Sequence, residues 1–359
     1  MGSTTRASGG GPDTAERRHV SDAAGIVVLG ACAAWSLITA AAQDGRPEGM
    51  LLAVLAVTAG HAAGRIFGAL MPVAAPCLGA LAGLALVVTV PDLTPGPGGL
   101  APLGHAGATA ALFTLCVGAA CCAAWSAAAS GARPALRLLA AAIVVAAAVL
   151  GSTAGAVAGA AVLLCSLAAG RMHRRGVGIA GLALASAAVT AGTWAVAADV
   201  LPDGLTDALR GRLTPHRVGL WHDALQLAGH DAALGVGPDR FGELSPTAGR
   251  TLLPDGKPHS APLQLAAEQG VIGVVLLAAV FGWVLLALWR TRRPTPVALT
   301  AGAAVTALAA LAAVGNALSF TAVSVGAGLL TGLATARPLA DEVPRGAARA
   351  RAREDRSAP

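Results

Sequence analysis

Residues 262–288, PLQLAAEQGVIGVVLLAAVFGWVLLAL, contain a single charged side chain, Glu268. A helix of roughly 20 mostly apolar residues crosses a hydrocarbon core of about 30 Å, so this stretch reads as a membrane span. Working outward, comparable runs recur at approximately 23–42, 50–64, 69–90, 108–129, 136–151, 153–170, 177–198, 296–314 and 317–336, divided by short clusters of Arg, Pro, Gly and Asp. The whole chain has 359 residues, 55% hydrophobic and 12% charged, against about 25% charged in a soluble domain. That balance excludes an ordinary soluble enzyme. The expected fold is an all-α polytopic membrane protein with about ten transmembrane helices and one large, partly helical extracytoplasmic loop.

The placement of charge fixes the expected orientation. Cytoplasmic loops of membrane proteins collect Lys and Arg. With the N-terminus inside, eighteen of the 25 basic residues fall in cytoplasmic segments, including Arg17, Arg18, Arg65, Arg133, Arg137, Arg174, Arg175, Arg290, Arg292 and Arg293. The formal net charge of +6 then divides into about +11 inside and −5 outside, so the basic excess is topological. Both termini are expected in the cytoplasm, with the chain multi-pass in the cytoplasmic (inner) membrane. Residues 1–21 and 337–359 read as disordered tails, the second basic and placed against anionic lipid. Between them lie spans one to seven in 22–198, an extracytoplasmic loop at 199–261 and spans eight to ten in 262–336. With no Tyr, five Phe and six Trp, the aromatic platforms used for single-stranded nucleic acid are nearly absent, and nucleic acid is not an expected partner. The six Cys lie within apolar spans at no metal-ligand spacing, so neither a disulfide outside nor a cysteine metal site is expected. His61 and Asn316, the isolated polar residues of the spans, read as helix-packing hydrogen bonders.

The loop carries enough apolar side chains to be ordered, among them Leu220, Trp221, Phe241, Leu244, Leu252 and Leu253. Over Arg217–His230, RVGLWHDALQLAGH, a 100° step gathers Val218, Trp221, Ala224, Leu225 and Ala228 on one side, with Arg217 in the same arc. His222, Asp223, Gln226 and His230 share the opposite, solvated side. An amphipathic helix of this kind lies with its apolar face against the membrane or bundle. Arg217 then faces headgroup depth, either as a contact for a lipid diphosphate or as an Arg that snorkels to water. Gly235, Gly237 and Pro238 mark a tight turn whose amides could approach an anion. Arg240 beside it is a second phosphate contact or a surface charge. His259 stands just outside the eighth span, where an imidazole could serve as a general base. Ser260, Gln264 and Glu268 follow at helical spacing. Glu268 is an intramembrane carboxylate of functional interest, or a helix-start carboxylate facing a bundle partner.

The order of these features resembles the O-antigen ligase family, membrane glycosyltransferases related to O-antigen polymerases. The matching residues are Arg217, Trp221 and Ala224 in RVGLWHDAL, GVGPDRF at 235–241, and His259 followed by LQLAAEQGVIG at 263–273. The resemblance implies metal-independent transfer of a glycan from an undecaprenyl-diphosphate carrier, a lipid-linked oligosaccharide, to an acceptor hydroxyl on the outer face. Arg217 would bind the diphosphate, His259 would activate the acceptor, and Glu268 would match the family's helix-start glutamate. The chain departs from the family in having His259-Ser260 for the usual His-Asn. Its only earlier outside basic residue is Arg46, and its spans are fewer than is typical. The rival reading is a non-catalytic scaffold, or a subunit of a glycolipid export or envelope assembly system, which would keep the spans without needing Arg217 or His259.

Overall fold

The computed structural model describes residues 13–90, 103–200, 214–250 and 256–337, and within them the chain is helical throughout, without a strand. The order is α1 (Asp13–Gln43), α2 (Glu48–Leu70), α3 (Ala74–Thr89), α4 (Leu103–Ser126), α5 (Ala132–Val149), α6 (Thr153–Ala169) and α7 (Arg175–Ala197). There follow α8 (Pro215–His230), the single turn α9 (Phe241–Leu244), α10 (Ala261–Arg290), α11 (Thr295–Val314) and α12 (Thr321–Thr335). Seven of these, α1, α2, α4, α5, α7, α10 and α11, are long and apolar enough to cross a membrane. The expected third, sixth and tenth spans are shorter apolar helices of 16, 17 and 15 residues. The chain is thus a multi-pass membrane protein.

Boundaries differ from expectation for local reasons. The second run does not stop at 64, because Arg65 stays helical and its guanidinium reaches Asp22 of α1 at 2.6 Å. The helix ends at Leu70, just ahead of Met71-Pro72, as the ring of a proline disfavours helical geometry in the residue before it. α1 begins at Asp13, inside the stretch expected to be a tail. The remainder of both expected tails, 1–12 and 338–359, lies outside the described residues.

α4 is the axis of the bundle. Its sequence is small and apolar on every side, ATAALFTLCVGAACCAAW, which suits a helix enclosed all round. Of its best apolar window, 89% is buried, against 17% for α2, α5 and α7. α3, α5, α6, α11 and α12 all pack on it. The outer helices turn large side chains outward, such as Leu138, Val145, Val157, Leu164 and Leu184, as lipid-facing surfaces do.

The closest helix pair is α2 with α12. Gly60, Gly64 and Gly68 recur every four residues along one face of α2 and meet Gly328 and Gly332 of α12. A Cβ on Gly64 would overlap the Leu329 carbonyl oxygen, and one on Gly332 the His61 carbonyl oxygen. Small residues at such spacing let backbones touch, and in lipid that packing is what holds helices together. His61 adds a hydrogen bond to the Thr331 hydroxyl at 3.3 Å. At the bundle end opposite the 199–261 segment, buried Arg293 donates from Nε to the Ala336 carbonyl at 2.9 Å and from Nη2 to the Gly68 carbonyl at 2.8 Å. It ties together the final turns of α2 and α12 there. A Gly64→Val substitution therefore separates α2 from α12; the thermal unfolding midpoint in detergent falls, at the upper end of the ~1–3 kcal/mol usual for overpacking or beyond it, since backbone is in the way.

Candidate functional site

α10 is not one helix. Gly270 interrupts it with φ 68° and ψ −165°, a conformation essentially restricted to glycine. The expected span 262–288 is accordingly an arm, 261–269, followed by a helix over 271–290 that is long enough to cross a membrane by itself. Glu268 sits on the arm, before the break, and not a turn or two inside the span.

A helix end leaves carbonyls without intrahelical donors. The arm's are met from elsewhere in the chain. Val236 N–H donates to the Ala267 carbonyl at 2.8 Å, Gly237 N–H to the Glu268 carbonyl at 3.0 Å, and the Trp35 indole N–H of α1 to the Gln269 carbonyl at 3.1 Å. In return, Val271 N–H donates to the Ala232 carbonyl at 2.9 Å. The glycine turn is therefore a cap for the arm. Its Val236 and Gly237 amides are spent on carbonyls, which corrects the expectation that they could approach an anion. Gly235 is required because a Cβ would lie 2.6 Å from the Ala267 oxygen, and its φ of 68° is left-handed besides. Upstream, the Asp231 carboxylate accepts from the Ala233 and Leu234 amides, both at 3.0 Å, and sets the turn.

The turn continues onto Glu268 itself. This buried carboxylate accepts from Gln264 Nε2, 3.3 Å from each oxygen, and from the Asp239 backbone N–H. The stripe of Ser260, Gln264 and Glu268 thus exists, with Gln264 N–H also bonded to the Ser260 carbonyl at 2.8 Å. Arg240 goes elsewhere. Its Nη1 donates to the Gln43 carbonyl at 2.6 Å and its Nε stands 3.9 Å from Glu243, which faces Arg46 at 3.7 Å. Arg46 N–H donates to the Pro238 carbonyl at 2.9 Å. Arg240 and Arg46 thereby bind the turn to the α1–α2 connection, a link with no mark in the sequence.

α8 starts two residues before the expected Arg217, at Pro215, whose missing N–H costs nothing in a first turn. Its buried side is rotated toward Leu220: Leu220, Trp221, Asp223 and Ala224 are buried, while Val218 and Leu225 are only half-buried. Leu220, Trp221 and Ala224 pack with Phe241, Leu263 and Ala267 into a small core distinct from that of the bundle. Leu244, expected inside it, is exposed at 39%, and Leu252 and Leu253 lie outside the described residues. Arg217 is half-buried one turn before Trp221 on the same face. His222, Gln226 and His230 are exposed as expected. Asp223 is not on a solvated face. Burial pushes its carboxyl up, but the Ser245 hydroxyl at 2.6 Å and the Thr247 amide at 2.9 Å outweigh this and hold it below its ordinary value.

His259 and Ser260 are buried to 3% and 1% exposure. His259 has φ 51°, a left-handed conformation that costs a non-glycine residue on the order of 1–3 kcal/mol. That cost is carried where the chain turns from Lys257 into the arm. Beside the arm, Trp194 of α7, Leu225, Ala228 and Gly229 of α8, and Ala266, Val271, Val274 and Val275 of α10 enclose an apolar groove of about 450 Å³. Among the described residues no group of three His, Cys, Asp or Glu is placed to hold a metal ion.

Residues 138–278 match the family model Wzy_C, described as O-Antigen ligase. The matched segment, less than half of the chain, is similar to that family and contains Arg217, the capping turn, His259 and Glu268. No curated protein matches the chain.

Substitutions at two glycines of α10 have opposite outcomes. Gly270→Ala both strains the break and overlaps the Ala233 carbonyl oxygen, so it lowers the unfolding midpoint by the equivalent of at least ~1–3 kcal/mol. Gly282→Ala, where a Cβ meets nothing within 4 Å, is neutral or mildly stabilising in the same thermal assay. For Asp223, a depressed carboxyl stabilises the fold above its ordinary pKa near about 4, and that contribution is lost as pH falls through the depressed value. Protection factors of the 241–248 amides, taken against intrinsic exchange rates, should thus fall in acid in the native protein, while in Asp223→Asn they are already low at pH 7 and lose the acid dependence.

Proposed function

We propose that the protein is a membrane glycosyltransferase of O-antigen ligase type. It transfers a glycan from an undecaprenyl-diphosphate carrier to an acceptor hydroxyl on the outer face of the cytoplasmic membrane. One observation carries the reading: a buried histidine in a strained turn stands at the head of an arm whose other face packs on the helix bearing Arg217. A general base and a cation are thereby fixed to one small core at the edge of a membrane bundle.

The substrate is an amphiphile, and the site has matching parts. Arg217 and Ala228 are eleven residues apart on α8, which is about 20° in rotation and about 16 Å along the axis. One end of the helix face carries a guanidinium, and the other lines the apolar groove. The polyprenyl chain lies along the groove with the diphosphate at Arg217. In the reaction the acceptor oxygen attacks the sugar C1, the C1–O bond to the diphosphate breaks, and the acceptor proton passes to His259. Inversion at C1 follows from this single displacement. Arg217 stabilises the charge developing on the leaving group, as fixed cations do. Arg240, with Nη1 committed to Gln43, holds the turn and adds a second positive charge to the outer loop. Glu268, about 12 Å along the arm from Ser260 at 1.5 Å per residue, positions the arm against the turn, which is how it orients His259.

The orientation of the charged segments supports an outer site, with both termini cytoplasmic. His259→Ala and Arg217→Ala are each expected to cut transfer of lipid-linked glycan by about 10²-fold or more, with membrane protein levels unchanged. Full transfer in either variant would remove that residue from the chemistry. A scaffold or export subunit would instead leave envelope glycan intact in both.

A further inference from the structure

At the bundle end opposite the 199–261 segment, the α4–α5, α6–α7 and α10–α11 connections are joined into one surface. Arg175, at the start of α7, donates from Nη1 to the Thr291 carbonyl and from Nη2 to the Arg293 carbonyl, so the end of α10 and the connection after it are held against α7. The Trp289 indole lies beside Gly176, where an added Cβ would stand 3.6 Å from its Nε1. On the other side, the Trp125 ring at the end of α4 fills the space left by Gly170, and Arg137 of α5 stacks on it with its guanidinium carbon 4.9 Å from the ring centre. These contacts gather Arg171, Arg174, Arg290 and Arg292, all exposed, into one band. No acid of these connections offsets them: the chain has none between Asp92 and Asp199 or between Glu268 and Asp341, and Asp22 of α1 faces Arg65 at 2.6 Å. The preference for basic residues on one side of a membrane explains the sign of these charges. It does not require that the connections be tied together, nor that Leu167, Val177 and Trp289 stand exposed within about a turn of the arginines. Neighbouring guanidiniums without a counter-charge repel one another, and a phosphate is the anion that such a cluster holds most strongly.

We propose that this band is a binding site for an anionic phospholipid, its phosphate held among Arg171, Arg174 and Arg292 and its acyl chains lying against Leu167, Val177 and Trp289. Basic residues clustered between helices at a membrane surface, above exposed apolar side chains, suit such a headgroup and its chains together. The site stands at the other end of the bundle from Arg217 and His259 and does not depend on the glycan donor. A lipid bound there neutralises the arginines that Arg175 brings together, and so stabilises the packing of α7 on α10.

The test is titration of phosphatidylglycerol and of zwitterionic phosphatidylcholine into the full-length protein in neutral detergent at low ionic strength, read by native mass spectrometry and by the unfolding midpoint. The native protein should prefer phosphatidylglycerol and be stabilised by it. Arg171→Gln, Arg174→Gln and Arg292→Gln combined should weaken phosphatidylglycerol about a hundredfold, or about fivefold for each charge removed. Phosphatidylcholine binding and the lipid-free midpoint should stay at native values. Lysine at the same three positions keeps the charge and should hold the affinity close to native. Arg345→Gln, Arg349→Gln and Arg351→Gln combined remove equal charge from the C-terminal segment and should leave the preference in place. Native phosphatidylglycerol affinity in the first variant overturns the site, as does an equal loss in the C-terminal variant or a native protein that binds both lipids alike.

Discussion

The broken backbone at Gly270 is the constraint on which the rest of the site depends. Interrupting a helix frees carbonyls, and irregular backbone at membrane depth is tolerated only when protein satisfies it. Here the Ala267, Glu268 and Gln269 carbonyls take donors from two distant places, the turn at 236–237 and Trp35 of α1. The bonds to Ala267 and Glu268 cannot form unless the turn has been brought onto the arm, and the bond to Gln269 needs α1 beside it. The break and the turn are therefore one structural unit, assembled from segments that are far apart in the chain. The turn is then held on its other side, where the α1–α2 connection meets Pro238 and Arg240.

The same logic explains where the loop gets its order. Its apolar content is modest, and its core of Leu220, Trp221, Ala224, Phe241, Ala248, Leu263 and Ala267 is small. Polar contacts supplement it, made to backbone amides at Asp231 and to an amide and a hydroxyl at Asp223. Asp231 sets the turn before the arm, and Asp223 accepts from Ser245 and Thr247 beyond it. A buried carboxylate surrounded by donors costs little and fixes geometry, where an unpaired one would be expelled or protonated.

Much of this was legible in the sequence. Long apolar runs announce membrane helices, because length and hydrophobicity alone decide whether a helix can cross, and the motif order from Arg217 to Glu268 pointed to the family that 138–278 matches. The helix from Arg217 was readable from its period, and the stripe of Ser260, Gln264 and Glu268 from its spacing. The break at 270 was not. A glycine in an apolar run looks like a packing residue, and its left-handed φ is decided by the Ala232 and Ala233 backbone against it. Asp223 was misplaced for a related reason: a helical wheel assigns faces by apolar content, so an acid with partners on a distant segment reads as solvated. Arg240 likewise gives no sign in sequence that Gln43 will take one of its donors.

The distribution of donors also decides what an anion can meet here. A glycine-rich turn beside an arginine suggests a phosphate cradle, but a backbone N–H bonded to a carbonyl at about 3 Å is committed to it. Negative charge on a ligand must therefore be met by side-chain cations and by whichever helix N-terminus has amides to spare. Capping at 267–269 thus fixes the arm against the small core, and with it the strained turn of His259 at the arm's head.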